Sequence, residues 1–429
     1  MDLLYYYGSL LNQTVHWFNK IRDHNLDNLN LYKGEVKMQK LINREVSAIQ
    51  VPGIRKFSNM VVNYPNAINL TLGQPDFPTP EHIKEAAILA IRNNKTTYTH
   101  NAGLLSLRKA ASSFVYEKYT LLYNPEDEVI VTNGATEAID IALRTILKKG
   151  DEVILPVPIY PGYEPLIQLC GAIPVYVDTS LNKFKINAEM IKRKLTEKTR
   201  CIILCSPSNP TGSMLNKQEI IEIAKVLKDR NVFVISDEIY SELAYEQKHY
   251  SIASVQEMRN KTIVVNGLAK SHSMTGWRIG FTFAPNFLSK EMLKVHLYNS
   301  VCATTISQYA AIEALTQGIN DPTLMMREYR KRRDYVCKRL NSMGLDVVKP
   351  DGAFYVFPSI KNTKMSSFDF SLKLLREKSV AVVPGDAFSK YGEGFIRISY
   401  AASIDLIEES LNRIEQFLDC TDQEKLIRI

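Results

Sequence analysis

Between residues 128 and 268, short apolar runs alternate with stretches of helical spacing, and this order restricts the fold more than any other feature. "EVIVTN" (128–133) precedes "TEAIDIALRTILKKG", whose apolar positions recur every three or four residues. "DEVILPVP", "CIILCSP", "VFVISDE" and "TIVVNGLA" are further β-rich runs bounded by turn residues, and "KQEIIEIAKVLKDRN" has the spacing of an amphipathic helix between two of them. The runs are continuously apolar rather than alternating, which predicts strands buried on both faces. Strand and helix in this order predict an α/β fold, with a mainly parallel sheet sandwiched by helices.

After about residue 310 the order loosens. "YRKRRDYVCKRLNSMG" reads as a charged helix, "GAFYVFPSI" and "VAVVPG" as strands, and "SIDLIEESLNRIEQFL" as a closing helix. A chain of 429 residues fits two domains. The expected division is a large domain over 76–310 and a smaller α+β domain over 311–429, with 38–75 an N-terminal segment joining the small domain. Residues 1–37 lack a basic start and a clean apolar centre, so they make a poor secretory signal. Met38 opens "MQKLINREVSAIQ", a plausible helix start, and 1–37 read as an upstream extension from a misassigned start codon, or else a short docking arm.

Composition narrows the partners. With 45% hydrophobic and 23% charged residues the chain is ordinary for a globular protein, and a net charge of +7 without a basic block gives no support to nucleic-acid binding. No apolar stretch reaches the roughly 18–20 residues that span a bilayer. The six cysteines form no C-x-x-C pair, so buried thiols in a reducing, cytoplasmic setting are expected, with no metal.

In open α/β sheets ligands bind beyond the carboxyl ends of the strands, so the residues after each apolar run carry the interest. After the first comes Gly134-Ala135-Thr136, opening a helix whose outward N–H groups and dipole suit an anion. After "CIILC" comes "SPSNPTG", a stiff loop holding Asn209, with Asn209–Pro210 a candidate cis bond. Asp237 ends "VFVIS", with Tyr240 three residues on. Lys270 follows "TIVVNGLA", and a bend at Thr275-Gly276 can bring Arg278 back towards it. Singly, each has a commonplace reading: a capped turn, a turn asparagine, a helix-capping aspartate, a surface loop with two cations. Together they match one cofactor. Pyridoxal phosphate wants an anion cradle and an arginine for its phosphate, an amine for its aldehyde and a carboxylate for its ring nitrogen.

"PSNPTG", "SDEIY" and "KSHSMTGWRIGF" resemble the class I/II aminotransferases of fold type I, over nearly all of the chain from Met38 onward. Within that family, "GIRKFSN", "PIYPGYEP" and "VVKPDGAFYVFPSI" look most like the bacterial branch acting on N-acetyl-LL-2,6-diaminopimelate, in lysine biosynthesis. The resemblance implies that Lys270 bonds the cofactor's aldehyde and then moves a proton, with Asp237 on the ring nitrogen. It also implies that Tyr240 and Asn209 bind the ring's 3-oxygen, and that Tyr160 stacks on the ring. Arg278, Ala135 and Thr136 would hold the phosphate. Tyr98 would reach the neighbouring subunit's phosphate, which implies a homodimer with its active site at the subunit interface. Arg397 in "GEGFIRISYA" would grip the substrate's α-carboxylate beside Gly73 and Asn209, and Arg55 is a candidate contact for the far end of the substrate. The second substrate is then a 2-oxo acid such as 2-oxoglutarate.

Two departures stand out. Gly267 occupies a position where many relatives have a phosphate-binding serine, leaving Ser271 or Ser273 to compensate. Thr136 stands where some aspartate aminotransferases of this branch carry a lysine for the distal carboxylate. Aromatic or aspartate aminotransferase activity, or a C–S β-lyase of the same fold, are the alternatives.

Overall fold

The computed structural model describes residues 38–50 and 53–427, apart from the side chains of 55, 56 and those beyond 420. The expectations for the extension 1–37 and for the Arg55 side chain fall outside the described residues. The chain divides between Gln50 and Val51 into two units. In the first, the short helix Arg44–Ala48 starts where the Asn43 side chain accepts from the Glu45 N–H.

The second unit contains the sheet. Its strands are β1 (Ile68–Asn69), β2 (Val129–Thr132), β3 (Glu152–Val157), β4 (Ile173–Asp178), β5 (Thr199–Cys205), β6 (Phe233–Asp237), β7 (Thr262–Gly267) and β8 (Gly280–Phe283), then β9 (Tyr355–Val356), β10 (Val380–Ala381), β11 (Val383–Pro384) and β12 (Ile396–Ser399). Seven of them form one sheet in the order β2-β8-β7-β6-β5-β3-β4. All its pairs are parallel except those of β8, which runs against both neighbours. The fold is α/β, with a large, mostly parallel sheet flanked by helices, as the alternating pattern predicts.

Successive residues of each strand enter different cores, which is why the runs are apolar throughout. Ile203, Ile235, Ile263 and Val265 pack on one face with the helix Ala135–Ile146. Ile202, Leu204 and Val234 pack on the other with the helix Lys217–Leu227, and Val129, Val131 and Val264 with the helix Leu105–Tyr119. Asn216 starts Lys217–Leu227 with a reciprocal cap, its side chain accepting from Glu219 N–H while Glu219 accepts from Asn216 N–H.

A three-stranded sheet, β11-β12-β9, is antiparallel, and β1 pairs with β10 in parallel. Their core includes Tyr329, Phe354, Tyr355, Ile398 and Phe417. Gly212, at φ +69°, backs directly onto the Tyr355 and Gly352 carbonyls, so the loop after β5 abuts the start of β9.

Candidate active site

Because β2, β5, β6 and β7 run the same way, their carboxyl ends open on one edge of the large sheet. A cavity of about 380 Å³ lies there, and Gly73, Ala135, Thr136, Tyr160, Asn209, Asp237, Tyr240, Lys270, Arg278 and Arg397 all line it. Tyr98 is outside this lining and stands 81% exposed, and the two candidate replacement hydroxyls, Ser271 and Ser273, are outside it as well.

Asp237 ends β6, where its side chain is buried. One oxygen accepts from the Tyr163 hydroxyl at 2.5 Å and the other from the Ile239 N–H at 3.2 Å. Burial pushes its carboxyl up to about 6, against the pull of those two donors. Lys270 sits in the short helix Leu268–Ser271 that follows β7. Its Nζ donates to the Gly73 carbonyl and lies 6.0 Å from the Tyr240 ring centre and 5.9 Å from that of Phe354. Burial, then the positive charges of Arg397 and Arg278, bring its amine down to about 8.

The anion cradle is built from backbone. Gly134 precedes the helix Ala135–Ile146 at φ +81°, a backbone region that favours glycine, and a Cβ there would lie 2.5 Å from Arg278 Nη2 and push the guanidinium aside. A Cβ on Gly280 would meet the Gly134 and Ala135 backbone, which brings the start of β8 against the start of this helix. Arg278 donates to Thr275 O at 3.2 Å and to Asn133 O at 3.4 Å. Arg278 itself takes φ +55° and Ser273 +54°, whereas Gly276 is not among the positive-φ glycines. The reversal between Lys270 and Arg278 therefore exists, but its left-handed residues are not the glycine that suggested it.

Arg397, on β12, is 2% exposed and makes no ion pair among the described residues. Its Nη1 donates to Asn209 Oδ1 at 3.0 Å and Nη2 to Thr71 O at 2.6 Å, leaving Nε buried without a partner. The guanidinium lies 4.5 Å from the Tyr355 ring centre. Tyr355 shares a 2.9 Å hydrogen bond with Tyr240, and its hydroxyl lies 2.9 Å from where a Cβ on Gly73 would be. The Asn209–Pro210 bond is cis, as is Ser206–Pro207 beside it.

Gly267 is fixed by space, since a Cβ would lie 2.9 Å from the Ile279 carbonyl. Neither proposed replacement hydroxyl faces the cavity: Ser271 Oγ bonds His272 at 2.8 Å and Ser273 Oγ lies 3.4 Å from Met325 Sδ. Thr71, Thr136 and Thr275 are the threonines of the lining. Sequence reasoning missed Tyr163, Tyr355 and Thr71. For Tyr163 a signal existed, because it opens a helix three residues after Tyr160 in "PIYPGYEP", and the two rings meet edge to face at 5.4 Å.

A cofactor with an aldehyde, a basic ring nitrogen and a phosphate fits these residues. Among the described residues no cation forms an ion pair with the buried Asp237, the amine of Lys270 is depressed, and Arg278, bonded to Asn133 O beside a helix start, lines the same cavity.

Comparison with known proteins agrees with this geometry. Residues 65–414 match the sequence profile of the family described as aminotransferase class I and II. A Bacillus subtilis (strain 168) protein named "Probable N-acetyl-LL-diaminopimelate aminotransferase" is 57% identical over 89% of this chain and 96% of its own. An aspartate aminotransferase of Pyrococcus abyssi is 44% identical over 85% of this chain and 95% of its own. The crystal structure of an aromatic aminotransferase from Pyrococcus horikoshii superposes with a TM-score of 0.81 at 43% identity, covering 85% of this chain and 98% of that one.

Proposed function

The chain belongs to the class I and II aminotransferases, and from that membership we propose that it is a pyridoxal-phosphate enzyme of lysine biosynthesis, taking its amino group from N-acetyl-LL-2,6-diaminopimelate and passing it to a 2-oxo acid such as 2-oxoglutarate. The observation that carries the reading is one cavity lined by a buried carboxylate that no described residue ion-pairs, a depressed amine and two arginines.

When bound, pyridoxal phosphate supplies an aldehyde that bonds amines and a cationic ring that accepts the electron pair left at Cα. Lys270 would hold the aldehyde, Asp237 the ring nitrogen, Tyr240 and Asn209 the 3-oxygen, and Tyr160 the ring face. Arg278 with the backbone at Ala135 and Thr136 would hold the phosphate, joined by Tyr98 of the partner subunit in a homodimer. The exposure of Tyr98 supports that last assignment.

Arg397 binds the α-carboxylate through two parallel N–H donors, and its unpartnered Nε is one donor free to do so. Lys270 Nζ takes the proton from the substrate Cα and returns it to the product. Its amine loses its own proton near pH 8 rather than 10.5, which keeps a neutral fraction at physiological pH. Asp237 holds negative charge facing the ring site, and Tyr163 holds Asp237.

Among the described lining residues the cations are Lys270, Arg278 and Arg397, and all three have tasks. None remains for a distal carboxylate, and N-acetyl-LL-diaminopimelate and aspartate both carry one, so the choice of donor rests on the 57% identity to the Bacillus subtilis relative. The six free cysteines support a cytoplasmic setting.

The test is a set of half-reactions, read as loss of the cofactor's visible band. N-acetyl-LL-diaminopimelate should convert with the highest kcat/KM, above aspartate and the aromatic amino acids. Preference for aspartate or an aromatic donor would move the protein to the activity of its Pyrococcus relatives. Release of pyruvate and ammonia without an acceptor would make it a β-lyase. A protein that never takes up pyridoxal phosphate would end the proposal.

A further inference from the structure

We propose that His296 is a positioning residue that stands as an imidazolium and neutralises Glu137, so that the first turn of the helix Ala135–Ile146 can hold a phosphate dianion. The inference rests on the reading of that helix start as the phosphate cradle.

Glu137 lies in the helix's first turn, next to Thr136 of the cavity wall. A carboxylate in that position suits a helix end that binds nothing, since it complements the dipole by itself. Beside a bound phosphate it is a like charge. The chain nevertheless uses it as a structural clip: one oxygen accepts from Asn133 N–H at 2.5 Å and Asn133 Nδ2 at 3.1 Å. Asn133 is the residue whose carbonyl receives Arg278. Glu137 therefore shapes the cradle while bringing the wrong charge to it.

His296 meets the other oxygen. It is fully buried on the helix Asn286–Ser300, with Nδ1 2.9 Å from Glu137 Oε1 and Nε2 3.0 Å from the Asn101 carbonyl oxygen. A carbonyl can only accept, and a carboxylate can only accept. A neutral imidazole has a single N–H, so serving both partners requires a hydrogen on each nitrogen. The other groups close by do not supply the charge. Ser300 Oγ donates to the same Glu137 oxygen, and Asp140, one turn along the helix from Glu137, is occupied by Arg144 at 2.8 Å and Asn299 at 3.2 Å. No lysine or arginine pairs with Glu137 among the described residues. Burial pushes the Glu137 carboxyl up, yet the hydrogen bonds from His296, Ser300 and Asn133 hold it below the usual range. His296 also binds the loop of Tyr98, because Asn101 is three residues on and ties back to Val301 O at 2.8 Å.

The experiment measures dissociation constants for the cofactor-free full chain with pyridoxal phosphate, inorganic phosphate and phosphate-free pyridoxal. His296→Gln should weaken both phosphate ligands at least about tenfold and leave pyridoxal within twofold, because one charge beside the cradle is removed. Adding Glu137→Gln to His296→Gln should recover most of that loss, although it adds no contact. Equal weakening of pyridoxal, or no recovery in the double variant, would make His296 merely structural and overturn the proposal. Should the variants fail to fold, imidazole nitrogen NMR of the unaltered protein decides: hydrogens on both His296 nitrogens support it, a bare nitrogen refutes it. Unaltered protein that binds no pyridoxal phosphate would overturn the proposed function as well, whereas normal binding unaffected by His296→Gln overturns this inference alone.

Discussion

The hydroxyl of Tyr163 donates to Oδ2 of Asp237 at 2.5 Å, with both side chains buried. This donor works against the burial that raises the Asp237 carboxyl to about 6. Tyr163→Phe keeps the ring against Tyr160 but removes the hydrogen bond, so Asp237 should protonate at higher pH and lose charge near neutrality. We expect kcat to fall about tenfold with KM changed less than threefold, and stability to fall by about 1–2 kcal/mol for the lost bond. Steady-state kinetics across pH, with denaturant unfolding of the same variant, check both numbers.

Lys270 sets a basic limb. Its folded-state value of about 8 lies below the 10.5 of an ordinary lysine, so in cofactor-free protein the neutral amine forms at lower pH than in an unfolded chain. Reaction of Lys270 with a small amine-acylating reagent should rise about tenfold per pH unit up to about pH 8 and then level off. Peptide mass analysis of the modified protein reads this directly; a limb that climbs on to about pH 10 would contradict the depressed amine. The same shift makes Lys270 cost stability below about pH 8, a cost that vanishes above 10.5, because the folded state binds the proton less well than the unfolded one.

Gly134 and Gly150 separate two effects of an added methyl. Both take positive φ, +81° and +86°, but a Cβ on Gly134 meets Arg278 while one on Gly150 meets nothing within 4 Å. Gly150→Ala should cost about 1 kcal/mol through backbone strain alone and leave cofactor affinity unchanged. Gly134→Ala should cost more and weaken pyridoxal phosphate at least tenfold by displacing the guanidinium. Thermal unfolding and fluorescence titration of the two variants make the comparison.

Arg397→Lys keeps the charge and loses the planar fork. With Asn209 and Thr71 already holding two of its nitrogens, a lysine cannot offer two parallel donors to a carboxylate. We expect kcat/KM to drop about 100-fold, chiefly through KM, with the cofactor's visible band intact. Initial rates over a range of donor concentrations decide this.

The sheet was readable because its strands are buried on both faces, which writes Ile203, Ile235 and Val265 as parts of unbroken apolar runs. Its polar strand ends were readable for the same reason, since Asp237 and Lys270 interrupt a pattern that burial otherwise keeps apolar. Residues that act through a distant partner left no such mark. Tyr355 and Thr71 matter because they meet Tyr240 and Arg397, more than 100 positions away in the chain, and nothing local encodes that meeting. Ser271 and Ser273 show the converse. Their closeness to Lys270 in sequence suggested a phosphate contact, but the left-handed backbone at Ser273 and the pull of His272 turn both hydroxyls elsewhere. The sharp return of the chain was legible as a reversal but not as one hinged on Ser273 and Arg278.

The reversed strand β8 has one more effect. Because β7 leaves the sheet at the edge where β8 enters it, the chain from Lys270 to Arg278 is pinned at both ends, by the β7–β8 ladder and by the contact of Gly280 with Gly134. The segment works as a gauge block: its residue count, with the left-handed turns at Ser273 and Arg278, sets the gap between amine and guanidinium. A side chain added at Gly276 would meet nothing within 4 Å, whereas a residue inserted into or removed from the segment should move one of the two cations off its mark.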